Sequence, residues 1–414
     1  VKPSLEIDIA RLEKEIADLA LISENPPPVV TRVLFSRADL KARAFVNRLC
    51  RQAGLKIRQD AAGNVFARWT GSQAAAPAIA TGSHIDAIPN AGKYDGVVGV
   101  LGGLEAIRSL QRSGFQPARP IELIVFTAEE PTRFGIGCLG SRIMAGTLSA
   151  EKIASLRDSE GRDLDFWRQR AGVGGAMDSA RLKPGALAGF IELHIEQGPI
   201  LERRNVAIGI VEKIAAPSAL RLRLTGVGGH AGAVLMPGRR DALLAGAEIA
   251  LAVEQAALNS GSPDTVGTTG VFRIEPGAIN SVPSGVLLEI DLRDTDLACR
   301  DAALGKIEMA SGEICRRRGI ELQLERLNVD PPAICDPILV QTLARICEEL
   351  NFSSAKLISR AYHDTLFMAG ICPSAMIFIP CRGGVSHRPD EYSAPEQIER
   401  GVRVLAEMLR VLAI

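Results

Sequence analysis

Apolar residues recur at helical spacing over residues 5–24, through Ile9, Leu12, Ile16, Leu19 and Ala20, until Asn25-Pro26-Pro27-Pro28 stops the pattern. The same period returns over 37–53, with Leu40, Ala44, Val46 and Leu49 on one face and Gly54 past the end. Ile57 and Val65–Trp69 read as strands around an Ala-Gly-Asn turn at 62–64. Short continuous apolar runs at 78–80, Ile121–Phe126 and 190–193 read as buried strands. Between them lie a helical run at 97–110, a Gly-rich and then helical stretch at 133–147, and a polar stretch at 155–185 expected to form surface helices and a loop. Strands alternating with helices predict βαβ units and a mostly parallel central sheet.

The pattern changes near residue 212. Leu220, Leu222 and Leu224 alternate with Arg221 and Arg223, which marks a half-exposed strand. A helix is expected at 239–258, strands at 265–274 and 286–293, a helix at 297–318 and a strand at 320–327. That order is βαββαβ, the ferredoxin-like unit with helices on one face of its sheet. Asp330-Pro331-Pro332 closes it, and the α/β pattern resumes with a helix at 336–350, a strand at 375–379 and a helix at Pro395–Leu412. The expected organisation is a discontinuous α/β domain, 1–212 and 329–414, carrying an inserted domain at 213–328.

Composition narrows the classes. With 414 residues and 47% apolar content, the chain can bury sizeable cores. Lys plus Arg equals Asp plus Glu at 48 each, so charge gives no reason to expect nucleic acid or an anionic membrane as partner. No apolar run is long enough to span a bilayer. Glu6, Asp8, Arg11 and Glu13 interrupt any signal-peptide core, although a start at Val1 instead of Met leaves room for a trimmed upstream segment. Eight scattered Cys without a C-x-x-C pair suggest reduced, buried thiols in a cytoplasm-like compartment.

The five His (His84, His194, His230, His363 and His387) all fall in loop-like sequence, at strand ends or beside Gly. His84-Ile85-Asp86 follows the 78–80 run, and Asp95-Gly96 precedes the helix at 97–110. Sites in open α/β sheets form at such carboxyl ends of strands. Glu129-Glu130 ends the most apolar strand, so one or both are expected to point over the sheet edge. Mixed imidazole and carboxylate donors suit Zn²⁺, Mn²⁺ or Co²⁺. A carboxylate can bridge two such ions while a free one serves as base and then acid.

His84-x-Asp86, Asp95-Gly96, Glu129-Glu130, His194-Ile195-Glu196-Gln197-Gly198-Pro199 and Ser386-His387 resemble the co-catalytic metallopeptidase superfamily of aminoacylases and carboxypeptidases, in its amidase/hydantoinase/carbamoylase branch. The resemblance implies a zinc-peptidase-like catalytic domain and an inserted lid and dimerisation domain. It implies two divalent ions per subunit, Mn²⁺ first and Zn²⁺ or Co²⁺ as alternatives. His84 and His194 would hold one ion, Glu130 and His387 the other, with Asp95 bridging. Glu129 would be the general acid/base, and Asp86 would orient His84. His230 of the lid would stabilise the oxyanion across a homodimer interface. Gln197, Asn280, Arg293, Tyr362 and His363 would contact substrate. The implied reaction is hydrolysis of the ureido group of a small carboxylate: ureidoglycolate first, an N-carbamoyl-L-amino acid or allantoate otherwise. Val234-Leu235-Met236-Pro237 stands where carbamoylases usually carry Thr-x-Pro-Met after the lid His, which favours ureidoglycolate. The presence of Glu129 argues against a catalytically dead binding protein.

Overall fold

The computed structural model describes residues 5–414, so positions 1–4 of the expected first domain lie outside the described residues. The chain divides into two compact units. One holds the described part of Val1–Glu212 together with Ile334–Leu357 and His363–Ile414; the other holds Lys213–Ala333 and Ile358–Tyr362.

The first unit is built on a mixed sheet. Its centre is parallel: Ser374–Ile379 lies beside Leu187–Ile195, then Ala78–His84, then Ile121–Phe126. The flanks are antiparallel, with Ile208–Ile214 on one side and Val65–Trp69 followed by Lys56–Gln59 on the other. The expectation of a mostly parallel sheet therefore holds for the centre and fails at the edges. Lys56–Gln59 and Val65–Trp69 are joined by a short turn, and a parallel pair would need a crossover connection instead. The four central strands are almost wholly buried, because helices Val97–Arg112 and Pro395–Leu412 pack near them.

Local differences from the sequence reading have local causes. The first helix is Ile9–Ala20, shorter than 5–24, because the Asp8 carboxylate accepts the Arg11 N–H and starts it there. Residues Ala87–Ala91, in the polar, Gly- and Pro-containing stretch 82–96 that reads as a loop, pair antiparallel with Val30–Arg32. The 155–185 stretch is not a surface segment throughout. Leu156, Leu164, Val173 and Ala180 are buried in one cluster with Leu34, Phe35 and Leu139, although their spacing is too sparse to show a period.

In the second unit, four antiparallel strands run in the order Val266–Glu275, Gly285–Asp294, Ala216–Thr225, Glu321–Val329. Helices Ala242–Leu258 and Leu297–Arg318 cover one face. Leu220, Leu222, Leu224, Leu288, Ile290 and Leu292 from the strands pack with Ile249, Val253, Leu304 and Ile307 from the helices. Leu322 and Leu324 of the fourth strand join this core partly buried. The first of these helices starts at Ala242 and not at 239, because Asp241 caps it by accepting the N–H groups of Leu243 and Leu244. Among the described residues, no helix is long and apolar enough to cross a membrane.

Leu288 is fully buried in the middle of this core. Leu288→Ala should destabilise the protein by about 2–5 kcal/mol through lost contacts and a residual cavity. Urea unfolding followed by circular dichroism measures this; a loss below roughly 1 kcal/mol would show that the core refills the space.

Candidate metal centre

Two neighbouring parallel strands deliver two imidazoles to one sheet edge. His84 is the last residue of Ala78–His84, and His194 is the last but one of Leu187–Ile195. Their rings stack with centroids 6.0 Å apart. Each ring turns Nδ1 to a backbone carbonyl, His84 to Asp86 at 3.1 Å and His194 to Ile195 at 2.9 Å. Donation from Nδ1–H to these carbonyls leaves the Nε2 lone pairs facing the site. The Gly96 N–H donates to His194 Nε2 at 3.2 Å, in keeping with that tautomer.

Asp95 occupies the turn before helix Val97–Arg112, and its two oxygens face different partners. Oδ1 lies 3.1 Å from His194 Nε2 and 3.7 Å from His84 Nε2. Oδ2 lies 3.3 Å from His387 Nε2, which is 3.4 Å from Glu130 Oε1. Two donor sets result, His84/Asp95/His194 and Asp95/Glu130/His387. Ligand atoms about 2.0–2.1 Å from a common ion in a tetrahedral arrangement lie roughly 3.3–3.4 Å from one another. The observed separations fit that spacing, and the N/O donor chemistry suits a transition-metal ion or Zn²⁺.

Glu129 stands beside the first set, with Oε2 3.6 Å from His84 Nε2. Ala128 adopts φ 52 just before it, and Asp86 holds the turn from below. The Asp86 carboxylate accepts the backbone N–H groups of Glu129 at 3.3 Å and Glu130 at 3.0 Å. Asp86 thus steadies His84 through its carbonyl, while its side chain fixes the acidic pair; its Oδ1 is 3.7 Å from His84 Nδ1.

The electrostatics follow from burying many charges together. Burial pushes Glu129 well above the usual carboxylate range, helped by Glu130, Asp364 and Asp95 and opposed by His84. Burial and then Asp95 push Glu130 up to about 7. Burial works against the charge on Asp95, yet His194, His387 and His84 hold its pKa well below normal. The hydrogen bond to Asp95 is the first cause that raises His387 to about 9. The excess of carboxylates thus draws positive charge onto the imidazoles, where divalent cations can supply it.

Gln197 has φ 56 and donates from Nε2 to Asp95 Oδ2 at 2.8 Å and to Ser386 Oγ at 3.2 Å; its Oε1 is buried without a partner. His363 is buried with its ring 4.5 Å from that of His194. The remaining expected residues belong to the second unit. There His230, in the two-residue strand Gly229–His230, is exposed and pairs in register with Ser281, beside Asn280. The Asn280 carbonyl accepts the Ala231 N–H at 2.8 Å. The Arg293 fork is taken by Asp291, at 2.7 Å and 2.8 Å, and its guanidinium lies 5.4 Å from the Tyr362 ring.

Sequence reasoning passed over Glu391, Glu192 and Asp364, all buried carboxylates near the site. Glu192 accepts the Ser83 hydroxyl at 2.7 Å and the Thr365 hydroxyl at 2.5 Å. Asp364 accepts the Ser141 hydroxyl at 2.5 Å. Glu192, an acid inside an otherwise apolar strand two positions before His194, was the one readable signal.

A profile of the peptidase family M20/M25/M40 matches residues 80–411. The chain belongs to that family. Its fold is accordingly the α/β fold of the family with mixed sheets, and the family's use of divalent metal ions agrees with the two donor sets. The ureidoglycolate hydrolase of Arabidopsis thaliana is 50% identical over 418 residues, covering 99% of this chain and 88% of that one. The N-carbamoyl-L-amino acid amidohydrolase of Geobacillus stearothermophilus is 37% identical over 404 residues, covering 97% and 98%. A crystal structure of AtUAH in complex with (S)-hydroxyglycine superposes with a TM-score of 0.93 at 50% identity, covering 99% of both chains.

Gly96 has no room for a side chain. Its φ is 65, and a Cβ there would lie 2.5 Å from His84 Nε2. Gly96→Ala should give a folded protein with weakened metal binding at the His84/Asp95/His194 donor set. Metal analysis after gel filtration checks this, and an unchanged ion content would show that the His84 ring can move aside.

Proposed function

We propose that this chain is a metal-dependent amidohydrolase that cleaves the ureido C–N bond of a small carboxylate, with ureidoglycolate as substrate and glyoxylate, ammonia and carbon dioxide as products. The observation that carries this reading is the Asp95 carboxylate, with one oxygen toward His84 and His194 and the other toward His387, and with Glu129 beside it. Likeness at 50% identity to a ureidoglycolate hydrolase favours this substrate over N-carbamoyl-L-amino acids and allantoate. Mn²⁺ is the proposed metal.

When bound, the ions would polarise the ureido carbonyl and lower the pKa of water. Glu129 takes the proton of the attacking water and returns it to the nitrogen that leaves as the C–N bond breaks. Its buried position, which raises its pKa, suits a group that must hold and release a proton. Gln197 and His363 border the centre and would orient the substrate, with Asn280, Arg293 and Tyr362 supplied by the inserted unit. For Arg293 to bind the substrate carboxylate, its fork must leave Asp291.

The second unit is proposed to be a ferredoxin-like lid that also forms a homodimer. Leu244, Leu251 and Leu258 are exposed along one face of Ala242–Leu258, and the neighbouring edge strand Val266–Glu275 exposes Phe272 and Ile274. An unpaired edge beside an apolar helix stripe suits a second copy of the chain. His230 would then donate to the oxyanion from the partner subunit. A reducing compartment such as the cytoplasm suits the eight free cysteines.

Ammonia release from ureidoglycolate, N-carbamoyl-L-amino acids and allantoate, with Mn²⁺, Zn²⁺ or Co²⁺ supplied, tests the reading; no turnover of any ureido compound would reject it. Glu129→Gln should keep its ions and lose roughly 10² to 10⁴ in turnover. Near-normal turnover in metal-replete Glu129→Gln would move the proton transfer to another group. Glu129→Gln and His230→Ala, each inactive, should regain activity when mixed as exchanging dimers. Verified hybrids without activity would place His230 in its own subunit's site.

A further inference from the structure

Residues 382–390 carry His387, yet none of them is buried, and the His387 side chain is 47% exposed. His387 also adopts φ 58, a conformation that side chains with a Cβ rarely take. Apolar packing therefore does not hold this ligand in place. The anchors of the loop are polar and few. At its start, the Gly383 N–H donates to Glu202 Oε2 at 2.7 Å, and the Arg382 N–H to the Tyr392 carbonyl at 2.8 Å. At its end stands Glu391, the next buried residue, at 4% exposure.

Glu391 joins both halves of the outer donor set. Its Oε1 accepts the backbone N–H groups of Tyr94 at 2.8 Å and Asp95 at 3.0 Å. Its Oε2 lies 3.1 Å from the Ser386 hydroxyl, which is also 3.0 Å from Asp95 Oδ2. Ser386 precedes His387 in the chain, so one carboxylate ties the backbone of the bridging residue to the residue beside the exposed ligand. Space is reserved for it: a Cβ on Gly92 would lie 2.5 Å from Glu391 Cβ and 2.7 Å from Oε1. The inner set shares Asp95, but its other two donors do not depend on Glu391, since His84 and His194 are fixed by buried strands and by the carbonyls of Asp86 and Ile195.

We propose that Glu391 is a positioning residue that sets the affinity of the outer metal position, Asp95/Glu130/His387, by locking the Asp95 turn to the Ser386-His387 segment, while the inner position, which shares only Asp95 with it, depends on Glu391 far less. This rests on the two-ion reading given above. Glu391 touches neither ion nor substrate in this role; it acts through the orientation of Asp95 and His387.

Calorimetric titration of Mn²⁺ into ion-free protein distinguishes the two positions. The wild-type chain should take up two ions. Glu391→Ala should keep one close to wild-type affinity and bind the other on the order of 10- to 100-fold more weakly, the usual effect of losing such a supporting group. Glu391→Gln keeps an oxygen for both N–H groups and should restore most of that affinity. Wild-type titration of both ions in Glu391→Ala, or equal weakening of both, would overturn the proposal. Should Glu391→Ala fail to fold, Ser386→Ala decides, because it removes only a hydroxyl: selective weakening of one ion supports the link, and an unchanged titration overturns it. A wild-type chain that binds a single ion would remove the two-ion reading, and this proposal with it.

Discussion

The structure depends on keeping one carboxylate, that of Asp95, ionised while buried. Removing a carboxylate from water is costly unless charge and hydrogen bonds compensate it. Here three imidazoles surround Asp95, with Gln197 Nε2 and the Ser386 hydroxyl as further partners. Those groups come from three separate stretches of the first unit, and the sheet, the Gly96 turn and the 381–392 loop are arranged so that all of them meet Asp95. Burial is the first cause of the raised pKa values of Glu129 and Glu130, and the neighbouring carboxylates, Asp95 among them, add to it.

Backbone conformation shows where the fold is constrained for the sake of the site. Ala128, Gln197 and His387 all have positive φ without being glycine, and each is a site residue or adjoins one. Such conformations cost about 1–3 kcal/mol each and persist only when the surroundings enforce them. At Ala128 the enforcement is the Asp86 carboxylate gripping the next two N–H groups. At Gln197 it includes the side-chain bond to Asp95. Strain of this kind is spread around the centre and is compensated by the buried parallel strands beneath it.

The division into two units separates rigidity from specificity. The side chains of the two candidate metal donor sets all lie in the first unit, on strand ends and short turns anchored to a buried sheet. His230, Asn280, Arg293 and Tyr362 lie in the second, on or beside a two-stranded ribbon, at a strand end and on a returning segment. Under the proposed function this lets one hydrolytic centre serve different ureido carboxylates, since the residues that would read the substrate sit on a separately folded sheet.

The sequence alone determined the parts that repeat or carry distinctive chemistry. Periods of 3.6 and 2 located nearly every long helix and strand, because one-sided burial imposes those periods. His84, Asp95, Glu129, Glu130, His194 and His387 were legible because such groups are out of place at the ends of apolar runs unless they share a task, and because their motifs resemble a known family. Only the tertiary structure decided the rest. The antiparallel edges, the burial of the 155–185 stretch and the Ala87–Ala91 strand depend on which segments meet, and local pattern does not encode that. Asp86 looked like a partner for His84, but its carboxylate bonds two backbone N–H groups more than forty residues away. Nothing in the sequence around Glu391 marks it out, yet it holds N–H groups 296 and 297 positions distant. Backbone N–H groups are alike at nearly every position, so a side chain that serves them leaves no mark in the sequence, and the contact exists only once the chain has folded.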